Sequence, residues 1–274
     1  MTNKAKKFRE LLNSGTVVLP GVFNAISAKL VEQAGFDAMY LTGAGLANAV
    51  FGVPDIGIPT LQESAEHARR CNAAVQIPAL ADIDTGFDDL AATIQAFEAA
   101  GIAGVHLEDQ VDQKKCGHLE GKQLVSADEM CERVSNASKA KKNQDFLVMA
   151  RSDAKAVEGL DAMLNRCKAY VAAGADAIFV EALQTEEEFK LARKALSVPL
   201  LANMTEFGKT PYYTVKQFEN WGYNMVLFPM TLFRSANFAM REALHELKQH
   251  GTQQNILDKM QTRKELYELL DYQP

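Results

Sequence analysis

Eight short apolar runs, at 17–20, 38–41, 79–82, 104–107, 146–150, 177–180, 200–202 and 225–228, recur along the chain with longer amphipathic stretches between them. No other feature narrows the possible folds so far. A strand, a helix of about ten residues or more and a second strand make a parallel pair, because the helix supplies the crossover that parallel strands require. Helices are predicted at 25–34, 61–73, 88–100, 127–140, 159–173, 186–195 and 215–220. Several run into a glycine before the next strand, as in Gln33-Ala34-Gly35, Ala99-Ala100-Gly101 and Ala172-Ala173-Gly174. Glycine takes the left-handed conformation that ends a helix without a Cβ penalty. Two further helices, at 231–249 and 255–269, follow the last run.

Eight strand–helix units are the number that closes a cylinder, so the expected fold is α/β, a (β/α)8 TIM-type barrel with extra C-terminal helices. With 274 residues, 47% of them hydrophobic, one large core is affordable and one domain over 1–274 is expected. The net charge of -6 is spread over both signs with no basic run, which leaves a nucleic-acid backbone nothing to bind. Nor is any stretch apolar enough to span a bilayer. The first residues mix Lys4, Lys6, Lys7 and Arg9 with few apolar ones, unlike a secretory signal, and a cytoplasmic protein is expected. Cys71, Cys116, Cys131 and Cys167 form no C-x-x-C pair, which argues against a zinc site or redox dithiol.

Polar residues gather where the apolar runs end: Thr42, Asp82 and Asp84, Glu108, Arg151, Glu181, Asn203, and Arg234 a turn after the eighth. In a parallel barrel these ends share one face, where barrel enzymes hold their chemistry. Asp82 and Asp84 are two apart, so a continuing strand would aim both the same way. Hard carboxylate oxygens suit Mg²⁺, with Asp55 and Glu108 as outer-shell acids on its waters. Asp84-Thr85 also reads as a cap for the helix near residue 88. Arg151 and Arg234 suit bidentate recognition of carboxylates, which implies a small anionic substrate; salt bridges with Glu181 or Asp153 are the structural alternative. His106 and His67 read as structural, and His245 and His250 as surface positions.

Lys114-Lys115-Cys116-Gly117-His118 follows the fourth strand as a polar, glycine-bearing segment with cations around one thiol. Those cations would ease the thiol's loss of its proton and poise Cys116 for proton transfer in a closing loop. A solvated surface loop with an incidental cysteine is the alternative. The other three cysteines fall in predicted helices and read as inert.

Taken together, Tyr40-Leu41-Thr42-Gly43, Asp82-Ile83-Asp84-Thr85-Gly86-Phe87, Glu108-Asp109-Gln110, Lys114-Lys115-Cys116-Gly117-His118, Arg151-Ser152-Asp153 and Asn203-Met204-Thr205-Glu206-Phe207-Gly208 resemble the isocitrate lyase and phosphoenolpyruvate mutase superfamily. The resemblance spans nearly the whole chain, and the cysteine-glycine-histidine loop marks its lyase branch, closest to the methylisocitrate-cleaving enzymes. It implies Mg²⁺ on Asp82 and Asp84, with Thr42, Gly43 and Ala44 cradling a pyruvate moiety. It further implies Arg151 on an oxyanion, Cys116 and Lys114 in the catalytic loop, and Tyr40 handling the hydroxyl proton. Gly117, His118, Glu181, Asn203, Thr205, Arg234 and Arg263 match the remaining substrate-contacting positions. A homotetramer in which paired subunits exchange C-terminal helices, about 231–271, is also implied.

The implied reaction is Mg²⁺-dependent cleavage of a 2-hydroxy polycarboxylate into pyruvate and a second acid. Departures fall around the substrate. Leu119-Glu120 stands where bacterial members have arginine-proline, Thr42-Gly43-Ala44 where serine-glycine-glycine is common, and Val180 where proline is common. These leave 2,3-dimethylmalate and oxaloacetate as alternative substrates. A phosphonate mutase has no carbanion for Cys116 to protonate, and an inactive binding barrel has no need of the full acidic, cationic and thiol set. No strand run ends in the lysine that a Schiff-base aldolase would use.

Overall fold

The computed structural model describes residues 3–112 and 121–273. Eight parallel strands, β1 (Val17–Val22), β2 (Met39–Leu41), β3 (Ala79–Asp82), β4 (Gly104–Glu108), β5 (Leu147–Ser152), β6 (Ala177–Val180), β7 (Leu200–Asn203) and β8 (Met225–Phe228), close in sequence order into a barrel. The seam is the β1–β8 pair, in register from Val17↔Met225 to Pro20↔Phe228. At that seam Gly21 is required by space, because a Cβ there would fall 2.0 Å from the Pro229 carbonyl oxygen.

Helices α1 (Lys4–Ser14), α2 (Ala25–Gln33), α3 (Gly43–Leu46), α4 (Leu61–Ala73), α5 (Leu90–Ala99), α6 (Ala127–Ala140), α7 (Lys155–Glu158), α8 (Leu160–Ala172), α9 (Glu186–Ala195), α10 (Val215–Asn220), α11 (Thr231–His250) and α12 (Arg263–Leu269) accompany the strands. Their starts are set locally. Thr60, Thr185, Thr214 and Thr262 each cap a helix and are answered three residues on by Glu63, Glu188, Gln217 and Glu265. The predicted helix 255–269 is two pieces, a 3₁₀ turn Gln254–Lys259 and α12, because the Thr262 box starts a new helix there. Nor does Asp84 cap α5; Asp89 does.

Alternation along each strand divides the apolar residues into two cores. Val105, Leu107, Val148, Ala150, Ile178 and Val180 face outward and pack on the helices. Leu80, Leu147, Met149, Phe179, Leu201 and Leu227 fill the cylinder. The sequence reading missed α1, although Ala5, Phe8 and Leu12 repeat at helical spacing. These three residues join the interior cluster, and Phe8 is fully buried. Burying such a ring stabilises the fold by roughly 1.5–3 kcal/mol. By contrast α11 has no buried residue, and its Met240, Leu244 and Leu247 stand exposed on one stripe. No described helix is long and apolar enough to cross a membrane.

Candidate active site

The same alternation that fills the cylinder carries polar groups into its last layer. Tyr40, Asp82, His106, Glu108, Arg151 and Asn203 have the inward parity of Leu80, Met149, Phe179 and Leu201, with Asp82, Glu108, Arg151 and Asn203 one step nearer the strand ends. Arg151 lies within β5 rather than beyond it, and is 8% exposed. Its Nε is 2.9 Å from Asp153 Oδ2, its Nη1 3.3 Å from Glu108 Oε2 and its Nη2 3.4 Å from Glu181 Oε2. The guanidinium also sits over the Phe179 ring, 5.0 Å from its centroid. Burial disfavours its charge, but the surrounding carboxylates of Asp153, Glu108 and Glu181 outweigh it and hold the pKa well above the usual arginine value. The structural alternative raised for Arg151, salt bridges with Glu181 and Asp153, is therefore present, and within the same cluster.

Asp82 and Asp84 converge, though not by strand alternation. β3 ends at Asp82, and Asp84 adopts a left-handed conformation, φ 50°. The Asp84 amide donates to Asp82 Oδ1 at 3.0 Å, and its carbonyl accepts from the Glu108 amide at 2.9 Å. The two acids line a cavity of about 30 Å³ with Thr42, Gly43 and Asp55. Such a space is large enough for a water-sized particle. A Cβ on Gly43 would come within 2.8 Å of Asp82 Oδ2, so glycine keeps that oxygen's front open. Among the described residues no three His, Cys, Asp or Glu side chains converge to hold a metal by themselves. Two carboxylates with water and substrate completing the sphere is the habit of Mg²⁺, and the donor set fits that ion.

Support for Asp82 comes from behind. The Tyr40 hydroxyl donates to its Oδ2 at 3.2 Å and lies 2.8 Å from His106 Nε2, with His106 fully buried. Burial first, then the Asp82 charge, raises the Tyr40 hydroxyl well above the usual tyrosine value. His106, expected to be structural, is buried and held by Tyr40 within this layer. Thr42 caps α3 by accepting from the Gly45 amide at 3.1 Å, which leaves Gly43 and Ala44 on the first turn beside Asp82. On the far wall Asn203 donates to Glu181 Oε2 at 3.2 Å, while the Ala182 amide donates to Glu181 Oε1 at 2.7 Å. Gln110 donates to Glu108 Oε1 at 3.0 Å.

Thr205 follows β7 half-buried. Arg234, exposed on the first turn of α11, has its Nε 3.5 Å from Glu206 Oε2 and its guanidinium over Phe207. Glu206 also accepts from Thr231. Arg263 opens α12, exposed, and no described contact brings it into the cluster. Lys114, Cys116, Gly117 and His118 lie outside the described residues. Cys71 and Cys167 are buried in helices as expected, and burial pushes both thiols up, Cys71 to about 12. Sequence reasoning assigned no site role to Lys122, Asp109 or Gln110. Lys122 and Asp109 are buried charges joined to the Arg151 strand through Asp153.

A closed parallel barrel whose rim unites acidic oxygens with a buried arginine is an α/β-barrel enzyme for small anions. The model of the phosphoenolpyruvate phosphomutase family matches residues 8–248, and the chain belongs to this family, within the phosphoenolpyruvate mutase/isocitrate lyase superfamily. It is 46% identical over 270 residues to a 2-methylisocitrate lyase of Shewanella oneidensis, covering 97% of this chain and 92% of that protein. The crystal structure of a 2,3-dimethylmalate lyase superimposes with a TM-score of 0.92 at 36% identity, covering 98% of this chain and 92% of that one. A phosphonopyruvate hydrolase solved with oxalate and Mg²⁺ gives 0.86 at 30% identity, covering 99% and 95%.

Proposed function

We propose that the chain is a Mg²⁺-dependent carbon–carbon lyase that splits 2-methylisocitrate into pyruvate and succinate. The observation that carries this reading is the union of Asp82, Asp84 and Arg151 at one barrel rim, in a chain 46% identical over nearly its whole length to a 2-methylisocitrate lyase. Asp82 and Asp84 would hold Mg²⁺, with Asp55 and Glu108 on its waters, and the ion would stabilise charge on the oxygen that becomes the pyruvate carbonyl.

The remaining work falls to side chains. Thr42, Gly43 and Ala44 cradle the pyruvate end. Arg151 offers guanidinium protons to the developing oxyanion. Tyr40 and His106, 2.8 Å apart, form the couple that handles the substrate hydroxyl proton. The C–C bond breaks and its electrons stay on the departing carbon. Cys116, with Lys114 near it in sequence, gives that carbon a proton and releases succinate. Gly117, His118, Glu181, Asn203, Thr205, Arg234 and Arg263 orient the other carboxylates. The exposed stripe on α11 supports a homotetramer in which paired subunits exchange the C-terminal helices.

Cleavage of 2,3-dimethylmalate or oxaloacetate is the second reading, kept open by Leu119-Glu120 in place of arginine-proline. Offering Mg²⁺-loaded protein 2-methylisocitrate, isocitrate, 2,3-dimethylmalate and oxaloacetate in parallel, with both products identified, separates the two. Preferred turnover of 2-methylisocitrate, abolished by chelation, is expected. No turnover of it, or turnover indifferent to chelation, would refute the proposal.

A further inference from the structure

Asp153 is 1% exposed, yet two cations share its carboxylate. Arg151 donates from Nε at 2.9 Å and from Nη2 at 3.3 Å, and Lys122 donates from Nζ at 2.8 Å. The Lys122 side chain is itself only 1% exposed. Its backbone is held by a short antiparallel ladder: the Val111 amide donates to the Gln123 carbonyl, the Val125 amide to the Asp109 carbonyl, and Gln110 pairs with Leu124. Asp153 is fixed from the other side, where its amide donates to Asp109 Oδ1 at 2.8 Å. An ammonium group is expensive to bury, and an apolar chain of similar length would fill the same space more cheaply. A lysine there supplies charge.

Where that charge acts follows from the arginine. Asp153 takes the Nε and Nη2 edge, while Glu108 and Glu181 approach Nη1 and Nη2 at 3.3 and 3.4 Å. Three carboxylates therefore stand against the single guanidinium, and Lys122 shares the nearest of them, Asp153. Without Lys122 the whole of the Asp153 charge would fall on Arg151 and oppose the approach of a further anionic oxygen. We infer that Lys122 is a positioning residue: by sharing the Asp153 charge it leaves more of the Arg151 positive charge to an anionic oxygen of the substrate. The inference rests on the proposed lyase reading only in naming that oxygen as the substrate's.

Mg²⁺ with oxalate, a small planar dianion, is the probe, titrated calorimetrically into the full chain. Lys122→Met adds one uncompensated negative charge relative to the wild type and is expected to weaken oxalate binding about tenfold. Lys122→Met combined with Asp153→Asn restores the wild-type charge balance, so most of that loss should return, with melting curves showing both variants fully folded at the titration temperature so that the recovery reports charge and not folding. A loss under threefold in Lys122→Met, a double variant no tighter than the single one, or no oxalate binding by the wild type overturns the inference. If the single variant does not fold, the double variant decides alone: binding within fivefold of wild type supports the inference and weaker binding overturns it. Wild type that binds oxalate but cleaves none of the four acids refutes the lyase reading and leaves this test intact.

Discussion

The Tyr40 hydroxyl donates to Oδ2 of Asp82 across 3.2 Å and so ties β2 to the first metal-binding candidate on β3. Groups that orient a metal ligand from behind commonly change metal affinity or activity by about 10–100-fold when removed. Tyr40→Phe is accordingly expected to raise the Mg²⁺ concentration for half-maximal activity by about tenfold, in addition to the kcat lost with its proton-handling role, with the fold kept. Activity against Mg²⁺ concentration checks this, and an unchanged curve would separate Tyr40 from the metal site.

Gly43→Ala tests the same oxygen from its open side. The added Cβ would lie 2.8 Å from Asp82 Oδ2, closer than ordinary carbon–oxygen contact. The carboxylate must turn aside, and weaker Mg²⁺ binding with little change in melting temperature is expected. Direct calorimetric titration with Mg²⁺ measures it.

Asp109 gives a pH signature. It accepts from Ser152 Oγ, Tyr170 Oη and the Asp153 amide, and burial nonetheless raises its carboxyl above the usual range. The folded state thus binds this proton more tightly than the unfolded chain does. Its stabilising contribution is complete below the ordinary value of about 3.9 and is lost as pH rises through the raised one. Asparagine keeps an acceptor for the amide and can donate to both hydroxyls. Relative to Asp109→Asn, the wild type should therefore lose stability from about pH 4 to neutrality. Denaturation of both proteins across that range gives the difference, and a flat difference would contradict the argument.

Cys116→Ser is expected to lower kcat by about 10²–10⁴-fold, the range for a lost proton-transfer group, with the melting temperature unchanged. Retained turnover would remove Cys116 from the mechanism.

Met240 and Leu244 are 54% and 66% exposed on α11. Replacing both with Glu places charge on a face that the proposed tetramer covers. A shift to smaller species in sedimentation is expected, and an unaltered mass would place the interface elsewhere.

Much of this architecture was legible because periodicity is written into the chain. The predicted runs 79–82, 177–180 and 225–228 coincide with β3, β6 and β8, and predicted helices 61–73, 127–140 and 186–195 with α4, α6 and α9. Where reading failed, local chemistry competed with the period. α1 is lysine-rich on its outer face, α3 spans only Gly43–Leu46, and the Thr262 capping box divides the last predicted helix. In the site, residues of inward parity at strand ends were visible as candidates. Lys122 was not, since its importance lies in a buried contact with Asp153, 31 positions away, that no spacing rule announces. The closeness of Asp82 and Asp84 was foreseen for the wrong reason: a left-handed residue, not a continuing strand, brings them together.

The helix α1 has a further consequence. With Phe8 buried among Leu19, Leu147 and Met225, the cylinder is stoppered at the end away from the carboxylates. Traffic therefore shares one doorway. Of two fragments made inside, the one lodged nearer the floor departs second, and its accumulation should compete with incoming substrate while the outer fragment's does not.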